Sequence, residues 1–181
     1  MSTGASASLA ENSVFLTPVA PEDLDAVSAM AARIWPAAYG AILSPEQIEY
    51  MLRWMYDAET LRSNLAAGVL TWWIVCKEER IGFLAAGPRE EAGLCPLHKF
   101  YLLPEAQGRG LGSAALAALV TRLHSDGVRI LELRVNRHNH AAIGFYRRNG
   151  FTVHAEDCRD IGGGFAMDDY VMRLDLASGT F

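Results

Sequence analysis

The spacing of apolar positions changes several times along the chain, and each change marks a boundary between elements. Val14 to Val19 is a short run that predicts a first strand. Pro21, followed by Glu22 and Asp23, opens a helix whose acidic first turn complements its dipole, and the pattern carries it to about Trp35. Pro45 begins a second helical segment with Ile48, Met51, Leu52 and Met55 at helical spacing, and Asp57 caps a third that reaches Gly68. Leu70 to Cys76, Arg80 to Gly87 and Gly93 to Leu103 are rich in β-branched and aromatic residues. They are separated by turn-like Lys77-Glu78-Glu79 and Glu90-Glu91-Ala92, and predict an antiparallel meander.

Beyond Leu103 a glycine-rich loop leads into a helix whose Leu116, Leu119, Val120 and Leu123 form one stripe, ending at Ser125-Asp126-Gly127. Arg129 to Val135 alternates, with Leu131, Leu133 and Val135 on one face and Ile130, Glu132 and Arg134 on the other. A strand entered by a helical crossover runs parallel to the one before it. Asn139 caps a helix through Arg148 that Gly150 ends, and Thr152 to Glu156 and Met167 to Leu176 predict two closing strands. The expected fold is a single α/β domain over residues 14–176, between tails at 1–13 and 177–181.

Composition narrows the function. A hydrophobic share of 51% over 181 residues supports a packed core, and a net charge of −5 argues against general nucleic-acid binding. No run approaches the ~18 apolar residues of a membrane span. The N-terminus has neither a basic region nor an apolar core of secretory type. Three widely spaced cysteines, Cys76, Cys95 and Cys158, suit reduced thiols, and hence a cytoplasmic protein. His138 and His140 have no nearby Cys or carboxylate to complete a metal site, so no metal is expected.

The chemistry concentrates in Tyr101-Leu102-Leu103-Pro104-Glu105-Ala106-Gln107-Gly108-Arg109-Gly110-Leu111-Gly112-Ser113, a strand, a tight loop and a helix start. Glycines remove Cβ atoms where a ligand approaches the backbone, and the first helical N–H groups point at an anion. A P-loop is excluded because no Gly-Lys-Ser/Thr follows. Gly110 to Ala115 fits a dinucleotide fingerprint, with Glu132 twenty residues beyond Gly112 as a ribose contact. Glu132 is in mid-strand, however, and the preceding strand belongs to a meander.

Gln107 to Gly112, of form Q-x-x-G-x-G, resembles the pyrophosphate-binding motif of the GNAT acyltransferases. Leu133, Val135, Asn139, Ala141, Ala142, Phe145, Tyr146, Gly150 and Phe151 resemble that family's second motif, in the right order. The resemblance implies a mixed, mostly antiparallel sheet with helices on both faces and splayed central strands. It implies acetyl transfer from acetyl-coenzyme A to an amine by direct attack. Backbone groups of Tyr101 and Leu102 would bond the pantetheine arm, and Gln107, Gly108, Arg109, Gly110, Leu111, Gly112 and Ser113 would hold the pyrophosphate. Asn139 would contact the cosubstrate, and Tyr146 would lie beside the thioester sulfur as general acid. The alternatives are a non-catalytic acyl-coenzyme A sensor and a dinucleotide-binding protein.

Residues 96–150 hold eight Lys or Arg against three Asp or Glu, which suits a phosphate-rich cosubstrate, with Arg109, Arg137, Arg147 and Arg148 as candidate contacts. The amine needs a base; His98, Asp160, Asp168 and Asp169 are the candidates, alongside a water relay. The acceptor side is expected at residues 34–65, where Trp35 and Tyr39 flank a helix break at Pro36. This segment, with residues 160–170, resembles polyamine acetyltransferases within the family. A small-molecule or peptide amine is the expected partner, and exposed strand edges are compatible with a homodimer.

Overall fold

The computed structural model describes residues 13–90 and 92–177, so the expected tails lie outside it apart from Ser13 and Ala177, as does Glu91 of one predicted turn. Strand β1 (Val14–Pro18) is followed by a 3-10 turn at Pro21–Asp23 and three helices: α1 (Leu24–Tyr39), α2 (Pro45–Tyr56) and α3 (Ala58–Ala66). Ser44 caps α2 by accepting from Gln47 N, and Asp57 caps α3 by accepting from Glu59 N and Thr60 N. Strands β2 (Leu70–Cys76), β3 (Glu79–Ala86) and β4 (Leu94–Leu102) come next. The chain then runs through α4 (Leu111–Ser125), β5 (Ile130–Asn136), α5 (His140–Arg148), β6 (Thr152–Gly162) and β7 (Phe165–Asp175).

The seven strands form one sheet in the order β1-β2-β3-β4-β5-β7-β6. Every neighbouring pair is antiparallel except β4 with β5, which the α4 crossover makes parallel. Helices cover both faces. Phe83 and Tyr101 meet Tyr56 and Trp35 on the α1–α3 side, while Phe100 stacks on Phe145 of α5 on the other. The α4 stripe Leu116, Leu119, Val120 and Leu123 is buried, as are Leu131, Leu133 and Val135 of β5. Among the described residues no helix is long and apolar enough to cross a membrane, and the three cysteines are free.

Most elements fall within three residues of the expected boundaries, and two depart further. Helix α1 continues through Pro36 to Tyr39, so the anticipated break is absent. A mid-helix proline costs about 3 kcal/mol or more. Trp35, only 1% exposed, packs against Tyr39 at 4.7 Å and Tyr56 at 5.8 Å, and that aromatic packing holds the last turn. Strand β6 runs to Gly162, well past Glu156. It is an exposed edge strand with no buried alternation, and its pairing with β7, from Thr152↔Arg173 to Gly162↔Phe165, defines it.

Candidate active site

The site begins where the sheet parts. Strand β4 pairs with β5 from Leu94↔Ile130 to Leu97↔Leu133 and no further, whereas β5 stays paired with β7 to Asn136↔Asp169. The β3–β4 register slips at the same place, with Ala86 opposite Leu97 and Ala85 opposite Lys99. This bulge at His98 reverses the side to which each later residue of β4 directs its backbone. Leu103 N bonds Ile81 O, so Tyr101 and Lys99 occupy the hydrogen-bonded positions with β3, and Phe100 and Leu102 turn their N–H and C=O groups toward the gap. The backbone groups of Tyr101, expected at the gap, therefore face β3 instead, and those of Phe100 face the gap. Tyr101 enters the site by its side chain.

On the α4–α5 side the gap opens into a cleft of about 770 Å³. Leu102, Gln107, Gly108, Gly110, Gly112 and Ser113 line one wall, and Asn139, Phe145, Tyr146 and Arg148 the other. Gly108 and Gly110 have φ of +73° and +77°, and a Cβ on either would meet nothing within 4 Å. These two positions thus combine left-handed backbone with open space beside the first turn of α4, which is what an incoming phosphate requires. Gly112 differs, because its Cβ would lie 3.2 Å from the Phe145 ring, so its absence lets α4 and α5 close together. Gln107 Nε2 donates to Leu102 O at 3.1 Å and clamps the loop to the strand it leaves. Arg109 is exposed and does not line the cleft, and the Leu111 side chain is in the core, leaving that residue only its backbone N–H for a ligand.

Asn139 Oδ1 accepts from Ala142 N at 3.1 Å, capping α5 and aiming the helix so that Tyr146 faces the cleft. Tyr146 is buried against Phe145 and Phe151, and burial raises its pKa above the ordinary phenol value, so the hydroxyl keeps its proton at neutral pH. Of the four candidate arginines, Arg148 alone lines this cleft. Arg137 is engaged elsewhere, at 2.7 Å from Glu156 and 3.4 Å from Asp168.

A second cleft of about 470 Å³ lies on the α1–α3 side, walled by Trp35, Tyr39, Gln47, Met51 and Met55 and floored by β4, β5 and β7. Tyr39, Leu97, His98, Tyr101, Leu133 and Arg134 line both clefts, which meet through the parted strands. The β6–β7 hairpin closes the outer end. Tyr50 donates to Ile161 O at 2.6 Å, and Gln47 Nε2 donates to Ala166 O at 3.0 Å.

The candidate bases separate clearly. Asp160 accepts from Gly162 N in the hairpin turn, and Asp168 pairs with Arg137. His98 lines both clefts, but its Nε2–H donates to Gly87 O at 2.6 Å, and burial lowers its pKa. Asp169 is 3% exposed in the second cleft, its Oδ2 has no hydrogen-bond partner, and burial pushes its pKa up to about 6. Sequence reasoning missed Lys99, 6% exposed, whose Nζ is 5.1 Å from the Tyr56 ring centre and whose pKa burial brings down to about 8. Its signal was a lone cation in a strand flanked two residues away by Leu97 and Tyr101. The dinucleotide reading loses its ribose contact, since Glu132 lines the second cleft and is ion-paired at 2.8 Å with Arg173.

A family model described as the acetyltransferase (GNAT) family matches residues 26–151. Spermidine N(1)-acetyltransferase of Thermoplasma acidophilum is 28% identical over 153 residues, which span 82% of this chain and 94% of that protein. The crystal structure of PaiA N-acetyltransferase from Thermoplasma acidophilum, in complex with coenzyme A, aligns with a TM-score of 0.75 at 25% identity, covering 90% of this chain and 99% of that one. A GCN5-related N-acetyltransferase from Rhodopseudomonas palustris shares the fold, with a TM-score of 0.74 at 20% identity over 89% and 94% of the two chains.

Proposed function

Because this chain belongs to the GNAT acetyltransferase family and is an acetyl-coenzyme A-dependent N-acetyltransferase, we propose that its two clefts divide the reaction between them. The α4–α5 cleft takes the cosubstrate and the α1–α3 cleft takes a small-molecule amine. The observation that carries this reading is their junction at the parted strands, where a group in one cleft can touch a group in the other. The residues present suit acetyl-coenzyme A. Gly108 and Gly110 leave room for a pyrophosphate against the first N–H groups of α4, and Phe100 and Leu102 turn amide groups toward a pantetheine arm. Arg148 supplies a nearby positive charge.

Acetyl-coenzyme A brings an acetyl group already activated as a thioester. Tyr146 keeps its proton at neutral pH and can pass it to the departing sulfur, and Tyr39 and Tyr101, joined hydroxyl to hydroxyl at 3.3 Å, line the junction. The amine attacks directly, with its surplus proton leaving through Asp169 or through water. A volume of about 470 Å³ is that of a small-ligand site, which favours a free amine over a peptide. Spermidine, named for the Thermoplasma relative, belongs to the same broad class of acceptor. The test is acetyl transfer to a panel of small amines and an N-terminal peptide; efficient transfer confined to the peptide would overturn the acceptor assignment.

A further inference from the structure

The acceptor cleft holds an unusual arrangement of charge. Five charged side chains line it, Lys99, Glu132, Arg134, Arg159 and Asp169, and three of them already make ion pairs. Glu132 accepts a hydrogen bond from Arg173 Nε at 2.8 Å and is ion-paired with its Nη2 at 2.8 Å, and Arg134 and Arg159 share Asp157 Oδ2 at 2.9 and 3.2 Å. Lys99 and Asp169 remain. They are the buried charged side chains among the described residues, and both face this one cleft. Lysine and aspartate are seldom buried without a partner. Neither has an ion-pair partner within 4.0 Å among the described residues, and Asp169 Oδ2 has no hydrogen-bond donor.

The topology sets the two on the same floor. Asp169 is opposite Asn136 at the end of the β5–β7 ladder. Extending the β4–β5 register past Leu97↔Leu133 brings Lys99 to about the level of Val135, one residue short of Asn136, across the gap where the strands part. One buried anion and one buried cation, neither in an ion pair, thus lie across the gap, with Arg159 and Arg134 acting on Asp169 only at longer range. A polyamine would answer Asp169 and leave Lys99 facing a second like charge. A molecule carrying one ammonium and one acid group answers both.

Resting on the two-cleft reading above, we propose that the acceptor is a zwitterion, an amine bearing a carboxylate or comparable acid, with its ammonium at Asp169 and its acid group at Lys99. Burial holds Asp169 at about 6 and Lys99 at about 8, so both groups are charged near pH 7, as the pairing requires.

The experiment compares kcat/KM for matched acceptors in wild type and Lys99→Met: methionine, leucine, 4-aminobutanoate and 5-aminopentanoate against 1,4-diaminobutane, 1,5-diaminopentane and spermidine. Wild type is expected to prefer at least one zwitterion by tenfold or more over the diamines. Lys99→Met is expected to raise KM for that zwitterion at least tenfold while improving the diamines, and Asp169→Asn to impair both sets. Should Lys99→Met fail to bind coenzyme A in calorimetry, Lys99→Gln takes its place. Wild-type preference for diamines or spermidine, or a preference unmoved by replacing Lys99, would overturn the zwitterion while leaving acetyl transfer intact. Coenzyme A binding with no transfer to any of these amines would overturn the acceptor-cleft reading itself.

Discussion

Burial shifts the pKa of Tyr146, Asp169 and Lys99, and each makes a separate prediction. Tyr146→Phe keeps the ring packing against Phe145 and Phe151 and removes only the hydroxyl. Coenzyme A affinity should hold while kcat falls by about 10²- to 10⁴-fold, the usual contribution of a positioned acid; an unchanged kcat would remove the assignment. Asp169 is harder to ionise folded than unfolded, so the folded state keeps its proton where the unfolded chain has released it. Stability therefore falls as pH rises from 3.8 to about 6. Lys99 shows the reverse, since the unfolded chain holds its proton up to 10.5 while the folded protein gives it up near 8, and stability rises across that window. Asp169→Asn should thus stabilise the fold at pH 7 by on the order of 2 kcal/mol, read by urea denaturation, even as it costs activity. A loss of stability would mean that the carboxylate has a structural partner in the fold. That neither buried charge makes an ion pair could not be recognised from sequence, because the pairing of Arg134, Arg159 and Glu132 depends on strands far apart in the chain.

Elements whose determinants are local were legible in the sequence. The strict alternation of β5, the Asn139 cap, the α4 stripe and the glycine loop all rest on neighbouring residues, and the structure shows each of these as a local feature. What was hidden depends on partners distant in sequence. Helix α1 passes Pro36 because Tyr56 and Tyr101 pack on its last turn, and the far half of β6 exists because β7 pairs with it. The bulge at His98, which exchanges Tyr101 for Phe100 at the gap, is a property of two strands in register and has no single-residue signal. The α5 cap carries a prediction at this scale. Asn139→Ala leaves Ala142 N without its acceptor and should cost about 1 kcal/mol, lowering Tm by a few degrees, while Asn139→Ser should restore most of it. If Tm is the same in all three proteins, the cap does not hold α5.

At the scale of the whole molecule, one departure from regular pairing organises everything else. Strands β4 and β5 begin parallel and hydrogen-bonded, then separate after Leu97, and the two helical layers leave a cleft on each side of the opening. The glycine loop and α5 face one cleft, and α1, α2 and the β6–β7 hairpin enclose the other, so cosubstrate and acceptor meet only at the junction. The general arrangement was readable from two motifs in the right order, whereas the acceptor cleft draws on segments more than a hundred residues apart, such as Gln47 and Ala166. Whether acetyl-coenzyme A is held by the loop beside this opening is decided by calorimetric titration of wild type and Gly110→Asp with acetyl-coenzyme A. At φ of +77° with open space around it, the new side chain should cost the fold only about 1 kcal/mol, but it sets a negative charge at the start of α4. Saturable binding by wild type and none by the folded variant is the predicted result; equal affinity in the two proteins would contradict the account and move the phosphate site away from this loop.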